Sequence, residues 1–353
     1  MQRLATLVHI SDLHFGPMDP QTQGSVVPAW LEKFCWLGGL RGHDGLSLQR
    51  LAAFVDSLSE KEDFLLVVTG DITSWGSDDQ YHSAYNFLAG QLQPPVVKKL
   101  GLRAPDWKRR AVPGNHDHWP GTPTIWGEPK PFLHLAYQRT PYVSQPIVLN
   151  GGFKLRFFGI DTDADVHPKR LERFFAIGSF RCELEDLVRN LPANVKVQEP
   201  GEIRILLLHH SSLYRTSRLA LRMSDSSRRA LYDFVAQLGI SVLLCGHTHI
   251  PNLEEFDVTY LTTSRKVFEA CSGATTILTA LPYDATSITG SYPQPCGWIA
   301  NSLIVHRLYE ENRRLRWHSQ VYFESSQGFV IMSELPMGVK RCSCVFKSLH
   351  CPP

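Results

Sequence analysis

Five short polar clusters in this chain carry side chains able to hold metal ions: Asp12-Leu13-His14, Gly70-Asp71, Gly114-Asn115-His116-Asp117, His209-His210 and Gly246-His247-Thr248-His249. Carboxylate, imidazole and amide oxygen, with no thiolate among them, form a donor set for Mn, Fe, Co, Ni or Zn. The donors suffice for two adjacent divalent ions. Such a pair sits about 3.5–4 Å apart, lowers the pKa of a water between them and clamps the attacking and leaving oxygens of an in-line displacement at phosphorus. One carboxylate must bridge, and Asp71 is the natural candidate. Glycines 70, 114 and 246 let the backbone turn sharply and approach ions or phosphate oxygens closely. Any one cluster reads equally well as a turn or a hydrogen-bonded histidine. Five in series, each placed alike, carry the argument.

The placement comes from the segments before them. Apolar runs rich in Val, Ile, Leu and Phe, each closed by a polar or glycine-containing turn, predict buried strands at Leu4–Ile10, Phe64–Thr69, Ile203–Leu208 and Ser241–Cys245. Arg109–Val112 predicts a shorter one that ends at Pro113. In an open α/β sheet, ligands gather beyond the carboxyl ends of the strands, so residues far apart in sequence converge there.

Taken together, Asp12-x-His14, Gly70-Asp71, Gly114-Asn115-His116-Asp117, His209 and Gly246-His247-x-His249 resemble the five signature blocks of the calcineurin-like metallophosphoesterases, complete and in order. The resemblance runs from about residue 4 to residue 250. It implies an α/β fold, a four-layer α/β/β/α sandwich with the dinuclear site at the strand ends. It also implies that Asp12, His14, Asp71 and His249 hold one metal, and Asp71, Asn115, His209 and His247 the other. Two divalent transition-metal ions are the implied cofactors, Mn or Fe before Zn, Co or Ni. His116 is left for substrate: in the family this position contacts the phosphate and helps protonate the leaving oxygen, a task suited to imidazole. Neighbours on a strand point to opposite faces, so His209 is taken as the ligand and His210 as a supporting group.

Departures narrow the subgroup. Where protein Ser/Thr phosphatases continue Asp-Arg-Gly, this chain reads Asp71-Ile72-Thr73. The tyrosinate position of purple acid phosphatases is Ser74. The blocks look most like the class III cyclic nucleotide phosphodiesterase branch, although Ser211-Ser212 stand where that branch has a proline after the paired histidines.

With 353 residues and 43% hydrophobic content the chain can bury a sizeable core. We expect one metallophosphoesterase domain over residues 1–335, carrying an insertion at about 17–45, and a tail at 336–353. Thirty-six basic against 34 acidic residues give a net charge of +2, which argues against a nucleic-acid partner and for a small phosphoester substrate. The first strand begins almost at Met1, leaving no room for a signal peptide. No apolar run approaches the roughly 20 residues of a membrane span. Eight cysteines without regular spacing make no disulfide framework. These features predict a cytoplasmic enzyme; nothing in the sequence speaks to its oligomeric state.

Within the insertion, Trp30–Leu37 reads as an apolar helix; after it, Leu46–Ser59 reads as an amphipathic helix of the sandwich scaffold. The segment holding Trp30, Trp36, Arg41 and His43 leaves the strand end that carries Asp12 and His14, and so should wall the cleft, with His43 a candidate substrate contact. Arg215 and Arg218, on the segment after His210, offer planar forks for phosphate. Asp161 and Asp163 close another strand candidate, Lys154–Ile160, as turn or supporting groups on the same rim. A metal-dependent phosphodiesterase is the reading the residues favour. A nuclease would need a basic groove, and a non-catalytic scaffold would be expected to have lost ligands, none of which is missing.

Overall fold

The computed structural model describes residues 1–19, 21–22, 24–27, 38–92, 100–122, 137–166, 176–213, 222–261, 263–278, 300–312, 314–331 and 343–345. Two mixed sheets form its centre. The first has the order β13-β12-β11-β1-β2-β3, built from β1 (Gln2–Ile10), β2 (Leu65–Thr69), β3 (Ala111–Val112), β11 (Ser302–Glu311), β12 (Arg314–Ser325) and β13 (Gly328–Ile331). The second runs β4-β6-β7-β8-β10-β9, from β4 (Tyr142–Val143), β6 (Lys154–Gly159), β7 (Glu202–Leu207), β8 (Val242–Cys245), β9 (Asn252–Tyr260) and β10 (Thr263–Cys271), with β5 (Ile147–Val148) beside β6. Strands β1, β2 and β3 are parallel to one another, as are β6, β7, β8 and β10. Their carboxyl ends therefore share a direction within each sheet.

Side-chain alternation along these strands makes four layers. Leu7, Val67, Ile205, Leu207 and Leu244 meet between the sheets, with Ile304 and Trp317 from the antiparallel half. Their neighbours Val8, Ile10, Leu66 and Val68 face outward onto Leu48, Leu51 and Val55 of α1 (Gly45–Ser59) and onto Ala84 and Phe87 of α2 (Asp78–Leu88). On the far side Phe158, Leu206 and Leu243 pack on Leu184 and Leu187 of α3 (Arg181–Asn190), ahead of a short α4 (Ala193–Lys196), and on Leu231 and Phe234 of α5 (Asp225–Leu238). Strands covered on both faces have to be apolar throughout, which is why they read as continuous hydrophobic runs. Two helices start at side-chain caps: Asp44 accepts from Leu46 N and Ser47 N, and Ser224 from Ser227 N; α5 stops at left-handed Gly239.

The fold is the expected α/β/β/α sandwich. One strand is shorter than expected: Trp107–Arg110 is a 3-10 turn and only Ala111–Val112 pairs with β2. Arg110 is drawn out of the strand because its Nε donates to Leu66 O and its guanidinium pairs with Asp106. Ser343–Val345, in the segment read as a tail, pairs as β14 with Arg316–His318 of β12. Trp30–Leu37 and Pro282–Pro295 lie outside the described residues. Among the described residues no helix is long and apolar enough to cross a membrane.

Candidate metal centre

The five clusters leave the carboxyl ends of β1, β2, β3, β7 and β8 and converge on one spot between the sheets. Potential donor atoms of Asp12, His14 and His249 lie within 4.8 Å of one another, and so do those of Asp71, His209 and His247. His14 Nε2 is 3.2 Å from His249 Nε2, and His249 Nε2 is 3.1 Å from Asp12 Oδ1. In the second group His209 Nε2 is 3.2 Å from Asp71 Oδ2, from Asn115 Oδ1 and from His247 Nδ1 alike. Two imidazole nitrogens facing each other at this distance can share only one proton. With carboxylate and amide oxygens turned to the same point, the surplus of lone pairs fits divalent cations.

Protonation follows from burial and neighbours. Burial holds His14 near pKa 4 and His247 well below the ordinary value, which leaves both rings neutral, the form that ligates. Burial works against ionised Asp12 and Asp71. Yet His249 and His14 around Asp12, and His209 and His116 around Asp71, hold both carboxyls well below the usual range. Burial also opposes a proton on His209, but the pair with Asp71 lifts it to about 10. A bound cation would displace that proton. His209 Nδ1 donates to Thr69 O at 2.7 Å; a carbonyl only accepts, so the tautomer presents Nε2 to the centre.

The backbone at these candidate donors is sharply bent. Asp12, His14, Asp71, His247 and His249 have φ between 50° and 70°, and they are five of the nine described non-glycine residues at positive φ. Each such residue costs of the order of 1 kcal/mol or more, a strain that clusters where geometry serves a ligand. Two of the glycines act by closeness, with ordinary φ. A Cβ on Gly114 would lie 2.3 Å from Asp71 Oδ1, and one on Gly246 1.8 Å from Ser11 Oγ and 2.7 Å from Asp12 Oδ2. Gly70 needs both, with φ +96° and a would-be Cβ 2.4 Å from His209 Nδ1.

His116 lies beside both groups. Its amide donates to Asp71 Oδ1 at 2.8 Å and its Nδ1 to Ser74 O at 2.9 Å, and its ring meets His14 edge to face. Asp117, next to it, accepts from Thr73 N, Thr73 Oγ1, Gly114 N and Tyr137 Oη and so secures the loop. His210 faces away from the donors: Nε2 donates to Ala176 O, Thr162 Oγ1 donates to Nδ1, and the ring lies 4.0 Å from that of His247. Ser211 and Ser212, where the branch proline was absent, donate their hydroxyls to buried Glu269 on β10.

Of the candidate substrate contacts, Arg215 and Arg218 fall outside the described residues. His43 is fully buried on Phe15, with Nδ1 accepting from Gly16 N and Ser25 Oγ; there it ties the insertion to the loop after β1. Gly39 was not singled out by sequence, yet a Cβ there would lie 2.5 Å from His14 Cε1. His118 pairs with Asp161 at 2.8 Å, and its neighbours' charges outweigh burial to lift it to about pKa 9. Buried His9, brought to about pKa 3 by desolvation, bonds Thr69 Oγ1 at 2.9 Å and so supports the residue that orients His209. Neither link has a local sequence signal, since each joins residues more than 40 positions apart.

Two facing sheets with a histidine and aspartate donor cluster at their strand ends define a metallophosphoesterase-type protein. Residues 5–251 match the family described as Calcineurin-like phosphoesterase, and the chain belongs to that family. No curated protein matched. Among solved structures, a single mutant of Vps29 from Entamoeba histolytica is 12% identical, covering 93% of this chain and 97% of its own at a TM-score of 0.34. Vps29 from Chaetomium thermophilum is likewise 12% identical, covering 95% and 100% at a TM-score of 0.31.

Proposed function

We propose that this protein is a dinuclear metal-dependent phosphoesterase that prefers small phosphodiesters. Asp12, His14, Asp71 and His249 would hold one ion, and Asp71, Asn115, His209 and His247 the other, Mn or Fe before Zn, Co or Ni. The observation that carries the reading is the strained convergence of these seven side chains, five of them on left-handed backbone. When bound, such ions supply Lewis acidity at phosphorus and an activated water. The chain's own part is to hold the ions and to shut the site between the sheets. His116 keeps its Nδ1 proton on Ser74 O and thereby turns Nε2 toward the departing oxygen. Cys182, Cys245 and Cys271 are free thiols among the described residues, and a cytoplasmic setting is part of the same proposal.

The test is metal reconstitution followed by a screen of monoesters, linear diesters, cyclic nucleotides and nucleotide-sugar diphosphates. Two ions per chain and faster turnover of diesters are expected, with Asp71→Asn losing activity and weakening both sites. Failure to bind metal after reconstitution, or full activity in Asp71→Asn, would sink the proposal.

A further inference from the structure

His116 is held more firmly than its bond to Ser74 alone would require. Its ring lies parallel to that of Trp119, with centroids 4.8 Å apart and planes 8° from coplanar. Trp119 is nearly buried and belongs to a small apolar cluster with Trp75 and Leu40, backed by Val27 and separate from the three large cores. Leu40 lies on the 3-10 turn Gly38–Arg41, inside the insertion between the first two ligand blocks, and its carbonyl accepts from Trp75 Nε1 at 3.0 Å. The chain after Trp119 is in turn tied to Trp75, since Gly121 N donates to Trp75 O at 2.6 Å. A Cβ on Gly76 would come within 2.4 Å of Trp119 O, so the two loops run against each other.

We propose that Trp119 is a positioning residue for His116, and that the insertion, through Leu40 and Trp75, holds Trp119 in place. The proposal rests on the reading of His116 as the group that protonates the leaving oxygen. An imidazole held by one hydrogen bond can swing about it, sweeping Nε2 through an arc; a parallel indole face removes that freedom. A proton donor displaced by about 1 Å can lose as much as 10²-fold in rate. The insertion thus takes part in the chemistry of the leaving group and is more than a surface elaboration.

The experiment uses the full chain reconstituted with Mn and a series of methyl aryl phosphates whose leaving phenols run from p-nitrophenol to unsubstituted phenol. A positioned proton donor matters most for the poorest leaving group, so its loss steepens the dependence of kcat on phenol pKa. His116→Ala sets the benchmark slope. Trp119→Leu should approach it, losing about tenfold or more on the phenol ester and about twofold or less on the p-nitrophenol ester, with two ions still bound. Trp119→Phe keeps a parallel ring and should recover the original slope, while Leu40→Ala should fall between.

If His116→Ala leaves the slope unchanged, the assignment of His116 fails and the proposal with it. If His116→Ala steepens the slope but Trp119→Leu lowers kcat equally across the series, or alters KM alone, only the proposal fails. Should Trp119→Leu not fold, Leu40→Ala decides: an unchanged slope overturns the role of the insertion.

Discussion

Adding a single methyl group at Gly114 tests the construction of the centre without removing any donor. Gly114 has an ordinary φ, so alanine costs nothing in backbone conformation there. Its Cβ, however, would stand 2.3 Å from Asp71 Oδ1, 2.6 Å from Asp71 N and 2.8 Å from Asp71 Cγ. Ordinary carbon contacts lie at about 3.5–4.0 Å, so the carboxylate or the loop must give way by about 1 Å. Metal–ligand distances tolerate about 0.2 Å. The carboxylate proposed to serve both ions is therefore the one displaced, and both proposed sites should weaken together, by about 10–100-fold as for loss of a ligand-orienting group. Overpacking should also lower the stability of the metal-free chain by about 1–3 kcal/mol. Isothermal titration with Mn, thermal melts with and without metal, and metal content after dialysis give the three readouts. Gly24→Ala is the control, because its would-be Cβ meets nothing closer than 3.4 Å and its effect should stay within about 0.5 kcal/mol. Two ions bound with wild-type affinity in Gly114→Ala would refute the packing of Gly114 on a shared ligand.

Three further outcomes are expected. His247→Ala, which removes a donor from one group only, should bind one ion tightly and lose the other, read as metal stoichiometry near one per chain. His118 has a folded pKa of about 9, above its ordinary 6.5, through its pair with Asp161. Its contribution to stability is therefore full below pH 6.5 and is lost as pH rises through 9. Melting temperatures of wild type and His118→Gln should accordingly converge between about pH 6 and pH 9.5, and a gap that widens with pH would contradict the pairing. Arg215→Ala with Arg218→Ala should raise KM for a diester and leave metal content unchanged if either guanidinium meets the phosphate; an unchanged KM removes both from the site.

The candidate ligand blocks were legible in the sequence because donor chemistry is local: each block keeps its donors, and often a glycine, within four residues, and four of the five stand directly behind an apolar run that reads as a buried strand. The same local logic gave α1 to within a residue, since periodicity is read along one segment. The third strand was overestimated because Arg110 is claimed by Leu66 O, a partner 44 positions away. Only the tertiary structure could show that Gly114 is small for the sake of Asp71, that Gly39 presses on His14, that His43 is a buried brace, and that Trp119 lies flat on His116. The left-handed backbone at five proposed ligands was likewise not legible, because Asp and His favour that region more than most side chains do yet adopt it only occasionally, and the surroundings decide where. Donor identity is a property of side chains and survives in the string of letters. Donor geometry is set by close contacts between segments that the string keeps far apart.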